Sequence, residues 1–159
     1  MKRNTWSVLL MVTVLVALLA ASVVSVSAEP AAATRTLTEA QINSSFRVSN
    51  PINRHFSNVS VDLQPGQAVV SATMTVRAPR GQASTTYQTV STWAPSIVNG
   101  AVRWTLVSAT ANGSPASSQL ISQINTSIGT SWRAYWRAQH PGRATGVTVD
   151  DNQVVITYS

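Results

Sequence analysis

The sequence predicts an α+β fold: two layers, with an antiparallel sheet of about six strands, open to strong curvature, packed against a long C-terminal amphipathic helix and a shorter N-terminal helix. Three observations predict it. Short runs of alternating apolar and polar residues are separated by turn dipeptides such as Pro65-Gly66 and Asn99-Gly100. One segment, 116–139, instead repeats its apolar residues at spacings of three and four. The connections between alternating runs are too short for the crossovers that parallel strands need.

Residues 1–28 are set aside first. Lys2 and Arg3 precede an apolar run from Trp6 to about Val24, and Val26-Ser27-Ala28 follows before Glu29. A charged start, an apolar middle and a small-residue exit make up a secretory signal. The run approaches the ~20 residues that span a bilayer, so an uncleaved N-terminal anchor is the rival expectation. Either places the protein outside the cytoplasm. Residues 29–36 read as a flexible spacer, and 37–159 as one domain.

The first helix opens at Thr38, an N-cap with Gln41 three residues on, the spacing of a capping box. Leu37 and Ile42 take the positions of a hydrophobic staple, Ile42 and Phe46 share a face, and Asn50-Pro51 is the expected end. Val59, Val61 and Leu63 then alternate with polar neighbours, Pro65-Gly66 turns the chain, and Val70, Ala72, Met74 and Val76 answer. After a second turn at 78–81, a third strand over 84–94 puts Tyr87, Thr89, Ser91 and Trp93 on one face and stops at Pro95. A fourth, 101–109, alternates Val102, Trp104 and Leu106 with polar residues until Asn112-Gly113-Ser114-Pro115 breaks the sheet. The long helix carries Leu120, Ile121, Ile124, Ile128, Trp132, Tyr135 and Trp136 on one stripe, with Ser117 or Ser118 near its start and Pro141-Gly142 after it. Strands over 145–149 and 153–158 complete the chain, joined by Asp150-Asp151-Asn152. The remaining sheet face is expected to be polar.

Composition narrows the chemistry. The net charge of +6 includes Lys2 and Arg3; beyond residue 28 every basic side chain is an arginine, at 35, 47, 54, 77, 80, 103, 133, 137 and 143, against Glu29, Glu39, Asp62, Asp150 and Asp151. The arginines are dispersed rather than run together, so no nucleic-acid partner is expected. There is no cysteine, which excludes thiol catalysis, zinc–thiolate sites and iron–sulfur clusters. An exported domain without disulfides is also the bacterial or archaeal pattern.

No catalytic centre, metal site or cofactor is expected. His55 and His140 lie in break positions, and no serine sits in a Gly-x-Ser-x-Gly elbow. Asp150-Asp151-Asn152 clusters oxygen ligands, but these residues are also what a hairpin turn prefers. The segment 132–143 differs, because aromatic and basic side chains interleave there at the end of the helix. Such a mixture suits a boundary between apolar and anionic surfaces. The candidate ligand-binding residues are therefore Trp93, Trp104, Trp132, Tyr135, Trp136, Arg133 and Arg137; the competing expectation is that the rings simply fill the space between helix and sheet.

The strings Leu37-Thr38-Glu39-Ala40-Gln41-Ile42-Asn43 and Asn58-Val59-Ser60-Val61-Asp62-Leu63-Gln64-Pro65-Gly66 resemble small exported bacterial proteins of unknown function, some likened to tubular lipid-binding modules. In those modules a long helix lies in a strongly curved sheet. The resemblance follows the order of elements over most of 37–158 and implies binding of a lipid or another hydrophobic ligand. The resulting expectation is an exported, non-enzymatic domain that binds a lipid or other apolar ligand, with the membrane surface as one place of action. The alternative is a structural or protein-interaction module of the cell envelope or extracellular matrix, self-associating through its edge strands.

Overall fold

A computed structural model describes residues 32–79, 83–139 and 142–159. The expected signal or anchor, His140 and part of the 78–81 turn lie outside these residues. The described chain is α+β and all its strand pairs are antiparallel, but the strands form two sheets instead of one. The larger sheet has the order β2-β3-β4-β5-β6, from Arg54–Gln64, Gln67–Val76, Thr85–Val98, Ala101–Ala111 and Ser114–Pro115. The smaller has the order β1-β8-β7, from Ala33–Thr38, Gln153–Tyr158 and Ala144–Asp150.

The sheets meet at the outer edge of β7. The Gly66 N–H in the β2–β3 turn donates to the Val149 carbonyl at 2.9 Å, and Ala144 donates to the Gly100 carbonyl of the β4–β5 turn at 2.8 Å. The outer edge of β7 is thus held near both of its ends by two turns of the larger sheet. Both glycines have positive φ, +77° and +74°, which these tight turns require.

The expected spacer, 29–36, is corrected over 33–36, while 29–31 lie outside the described residues. Residues 33–38 form β1 and pair with β8, Ala33 opposite Tyr158 through Thr38 opposite Gln153. Its side chains are exposed except for Leu37, so the strand is held by its backbone ladder and leaves no apolar alternation to read. The first helix, α1 (Glu39–Ser45), has the full capping box: Gln41 N–H donates to Thr38 Oγ1 and Thr38 N–H donates to Gln41 Oε1. It ends at Ser45, well before Pro51. Phe46 leaves the helix with ψ 130° and turns its ring into the core, while the Arg47 guanidinium donates to the carbonyls of Asn43, Ser44 and Phe46.

Two bulges change which residues face inward. Ser57 pairs with Thr73 but Ser60 with Ser71, so β2 carries one extra residue at Asn58-Val59, where Asn58 has φ +51°. Phe56 and Val61 therefore both reach the core across a break in parity. In β5 the extra residue is Val107: Thr92 pairs with Ser108 and Trp93 with Leu106. Trp104 and Ala109 are both buried, and Val107 is 64% exposed. Pro95 does not end β4. Beyond Trp93 the ladder to β3 stops and β5 is the remaining ladder partner, so a residue without an N–H fits.

The long helix is one run in three parts, α2 (Ser118–Ile124), a π turn (Asn125–Gly129) and α3 (Thr130–Ala138), with Ser117 as N-cap. Ile124, Ile128, Trp132 and Trp136 are fully buried at a constant spacing of four. In a pure α-helix that spacing rotates by roughly 40° per step and would walk off the sheet. The wider π turn takes up part of that rotation. Ile121 falls off the stripe and is 39% exposed. The outer sheet face carries Thr73–Gln88 and Thr75–Thr86 side-chain hydrogen bonds, both 3.2 Å.

Candidate functional site

The candidate residues divide by burial. Trp93, Trp132 and Trp136 have no exposed surface and Trp104 is 5% exposed. Trp104 projects from the inner face of β5 because Val102 and Trp104 keep the period of two before the bulge. Trp132, Tyr135 and Trp136 come from the inward stripe of α3, and Phe46 from the end of α1. Trp104 stacks on Trp136 at 5.4 Å and 26°, and lies 5.3 Å from Trp132. Phe46 meets Trp132 edge-on at 4.5 Å, and the half-buried Tyr135 closes the group, its hydroxyl 3.1 Å from Ser45 Oγ. The rings fill the layer with one another, in the edge and offset contacts that aromatic pairs favour. The indole N–H groups of Trp104, Trp132 and Trp136 are buried without a hydrogen-bond partner.

Trp93 stands apart from this group. Its Nε1 donates to Ser91 Oγ at 2.9 Å, and its six-membered ring faces Gly129 in the π turn. The helix can approach β4 there because residue 129 has no side chain.

Arg133 and Arg137, one turn apart on α3, reach the outside. With Arg103 they line a shallow cleft of about 50 Å³ floored by Ala101 and Val102. Arg103 belongs to this group, and the alternation of β5, Val102 inward and Arg103 outward, was the sequence signal for it. Arg143 lies across Gly100, and Arg35 donates to the carbonyl and Oε1 of Gln139 at the end of α3. No carboxylate lines the cleft. The described acids gather elsewhere. Glu39 accepts from the Leu63 N–H at 2.8 Å, Asp62 accepts from Gln64, and the β7–β8 turn with Asp150 and Asp151 is tied to α1 by Glu39 N–H donating to Asn152 O. The described acids thus lie around the start of α1, while Arg35, Arg103, Arg133 and Arg137 lie around α3.

His55 is exposed on β2. Among the described residues no group of three or more His, Asp or Glu side chains could hold a metal ion. Asp151 and Asn152 form the β7–β8 turn, with Asn152 at φ +70°, and their role there is conformational. No described helix is long and apolar enough to cross a membrane.

Two further groups escaped sequence reasoning, Arg54 and Ser127. They are brought together by the π turn, which leaves no mark in the apolar spacing. No family model matches the chain, and a search of the curated proteins finds no match.

Proposed function

We propose that the chain is an exported, non-enzymatic lipid-binding domain acting outside the cytoplasm, and that it binds at an anionic membrane surface by contact. The observation that carries this reading is the cleft of Arg103, Arg133 and Arg137, which no carboxylate neutralises. Guanidinium groups pair with phosphate oxygens through planar, two-pronged hydrogen bonds. Val98, 45% exposed beside the Asn99-Gly100 turn, offers an apolar contact next to Arg143. The aromatic layer supports the reading from behind: the tryptophans pack on one another, so they act as a rigid mount for α3 rather than as the wall of an acyl pocket. The resemblance of residues 37–43 and 58–66 to tubular lipid-binding modules implies a lipid as ligand, while the two sheets here depart from the single curved sheet of those modules.

Vesicle flotation tests it with protein purified from its host. Binding to phosphatidylglycerol-containing vesicles is expected to exceed binding to pure phosphatidylcholine and to fall with salt. Replacing all three arginines, R103Q/R133Q/R137Q, leaves the N-terminal segment unchanged and is expected to weaken binding about fivefold per arginine, on the order of a hundredfold in all. Equal binding to both vesicle types, or an unaffected triple variant, overturns the proposal.

Self-association is a second reading, favoured by β1. It ends the smaller sheet, and its outer edge has no strand partner among the described residues. Native mass spectrometry separates the two: a stoichiometric lipid-sized mass supports the first reading, oligomers without one the second.

A further inference from the structure

We propose that the membrane contact continues past the arginine cleft to the loop before β2, so that the chain meets an anionic bilayer at two apolar tips, Ile52 and Val98, with α3 lying along the surface between them. This placement rests on the membrane-surface reading above and adds which residues enter the bilayer and how the domain is turned. Ile52 is 92% exposed. A single exposed apolar side chain is ordinary, so its surroundings decide what it does. The surface of the depression beside it, about 250 Å³ and lined among others by Pro51, Thr126 and Thr130, is mostly apolar.

Loop, cleft and hairpin tip are successive neighbours along α3. Ser49 N–H donates to Ser131 Oγ at 3.0 Å, which fastens the loop to the first turn of the helix, and Pro51 shares its depression with Thr130. Thr130 Oγ1 accepts from the Arg133 guanidinium at 2.9 Å. Arg133 and Arg137 then line the cleft with Ala101, and Ala101 pairs with Val98 across the β4–β5 turn. Thr130, Arg133 and Arg137 recur at spacings of three and four, one stripe about 10 Å long.

The chemistry along this line fits one partner. Guanidinium groups stand between two apolar tips, Arg143 lies across Gly100 beside Val98, and no carboxylate among the described residues lines either depression. In an anionic bilayer the guanidinium groups stay at the phosphates while isoleucine and valine reach the acyl region. An acidic protein surface would satisfy the arginines and leave both tips unused. Val90 is a built-in comparison. It is 41% exposed, but it alternates with the buried Thr89 and Ser91 and so points from the outer sheet face, where Ser71 and Thr110 pair with it.

The chain has no cysteine, so Ile52→Cys, Val98→Cys and Val90→Cys each accept one environment-sensitive nitrobenzoxadiazole label. All three side chains are exposed, and the labels leave the core untouched. With phosphatidylglycerol-containing vesicles, labels at positions 52 and 98 should brighten, shift to the blue and be quenched by lipids carrying a spin label high on the acyl chain. The label at position 90 should do none of these. Unlabelled Ile52→Ser should bind the same vesicles about tenfold more weakly in flotation. A response at one tip alone, an equal response at position 90, or unchanged flotation of Ile52→Ser overturns the proposal. So does a response at position 52 that arises without vesicles and grows with protein concentration, which assigns the loop to a second copy of the chain. The arginine-cleft reading fails separately: flotation indifferent to R103Q/R133Q/R137Q, with both tips responding, removes the cleft and keeps the tips. No flotation of the parent removes both.

Discussion

At Gly129 a methyl group has nowhere to go. A Cβ there would lie 3.1 Å and 3.2 Å from the Trp93 ring and 2.8 Å from Asn125 Oδ1. Trp93 cannot swing aside, because it is fully buried and held by Ser91. In an ordinary helix interior, glycine to alanine stabilises by roughly 0.5–1 kcal/mol. Here the sign reverses: Gly129→Ala should cost about 1–3 kcal/mol through overpacking, read by thermal or urea unfolding. A variant as stable as the parent would show that the helix is not seated on Trp93. At this scale the sequence was a fair guide to which aromatics matter and a poor one to what they do. Trp132 and Trp136 continue the inward stripe, so their burial was legible; their mutual stacking with Trp104, and the separation of Trp93 from that group, depend on the bulge at Val107 and on Gly129. Arg103 was legible as an outward position and became part of a group only when the sheet was folded against α3.

β2 is an edge strand, and three side chains close that edge. Asn50 accepts from and donates to the Phe56 backbone, Asn43 does the same for Val61 with both contacts at 2.7 Å, and Glu39 accepts from Leu63 N–H. An asparagine amide has the donor and acceptor of a peptide unit, so Asn43 and Asn50 stand in for a neighbouring strand. Open edges invite pairing between molecules, and covering them is a common defence. Asn43→Ala should therefore cost about 1–3 kcal/mol and raise concentration-dependent association in sedimentation velocity. A monomeric variant of parental stability would remove this role. The hairpins themselves were legible from alternation and from turn residues that tolerate positive φ. The bulges and the π turn were not, since each shifts the register of inward residues without changing composition. α1 was legible at its start, where capping is a local chemical pattern, and not at its end, where Phe46 leaves the helix for a tertiary contact.

For the whole molecule, the expectation of one sheet failed for a reason visible in β1. Its side chains are exposed and its partner, β8, lies at the other end of the described chain, so no local pattern announces the pairing. Tyr158, on β8, ties this sheet to the helical layer by donating to the Gln139 carbonyl at 3.5 Å. Burial raises its phenol pKa above the ordinary 10.0, and the charge of Arg35 offsets part of the rise. The unfolded chain releases this proton near the ordinary value while the folded chain keeps it. Below that pH the group's contribution is fully present; it declines as pH climbs from 10.0 toward the raised value. Melts between about pH 9 and about pH 11 should show this decline in the parent and a shallower one in Tyr158→Phe. Identical slopes would mean that the phenol does not couple to folding. The pairing of Ala33 with Tyr158 also sets an order in time. On a ribosome the larger sheet can assemble as its hairpins emerge, each strand beside the one made before it. β1 is synthesised first and must wait for the last strand, and β7 reaches its two anchoring turns in that same final step. Pairing across such a separation is slow compared with hairpin closure. The domain is therefore completed in one late event, and until then it leaves an unpaired strand at its beginning.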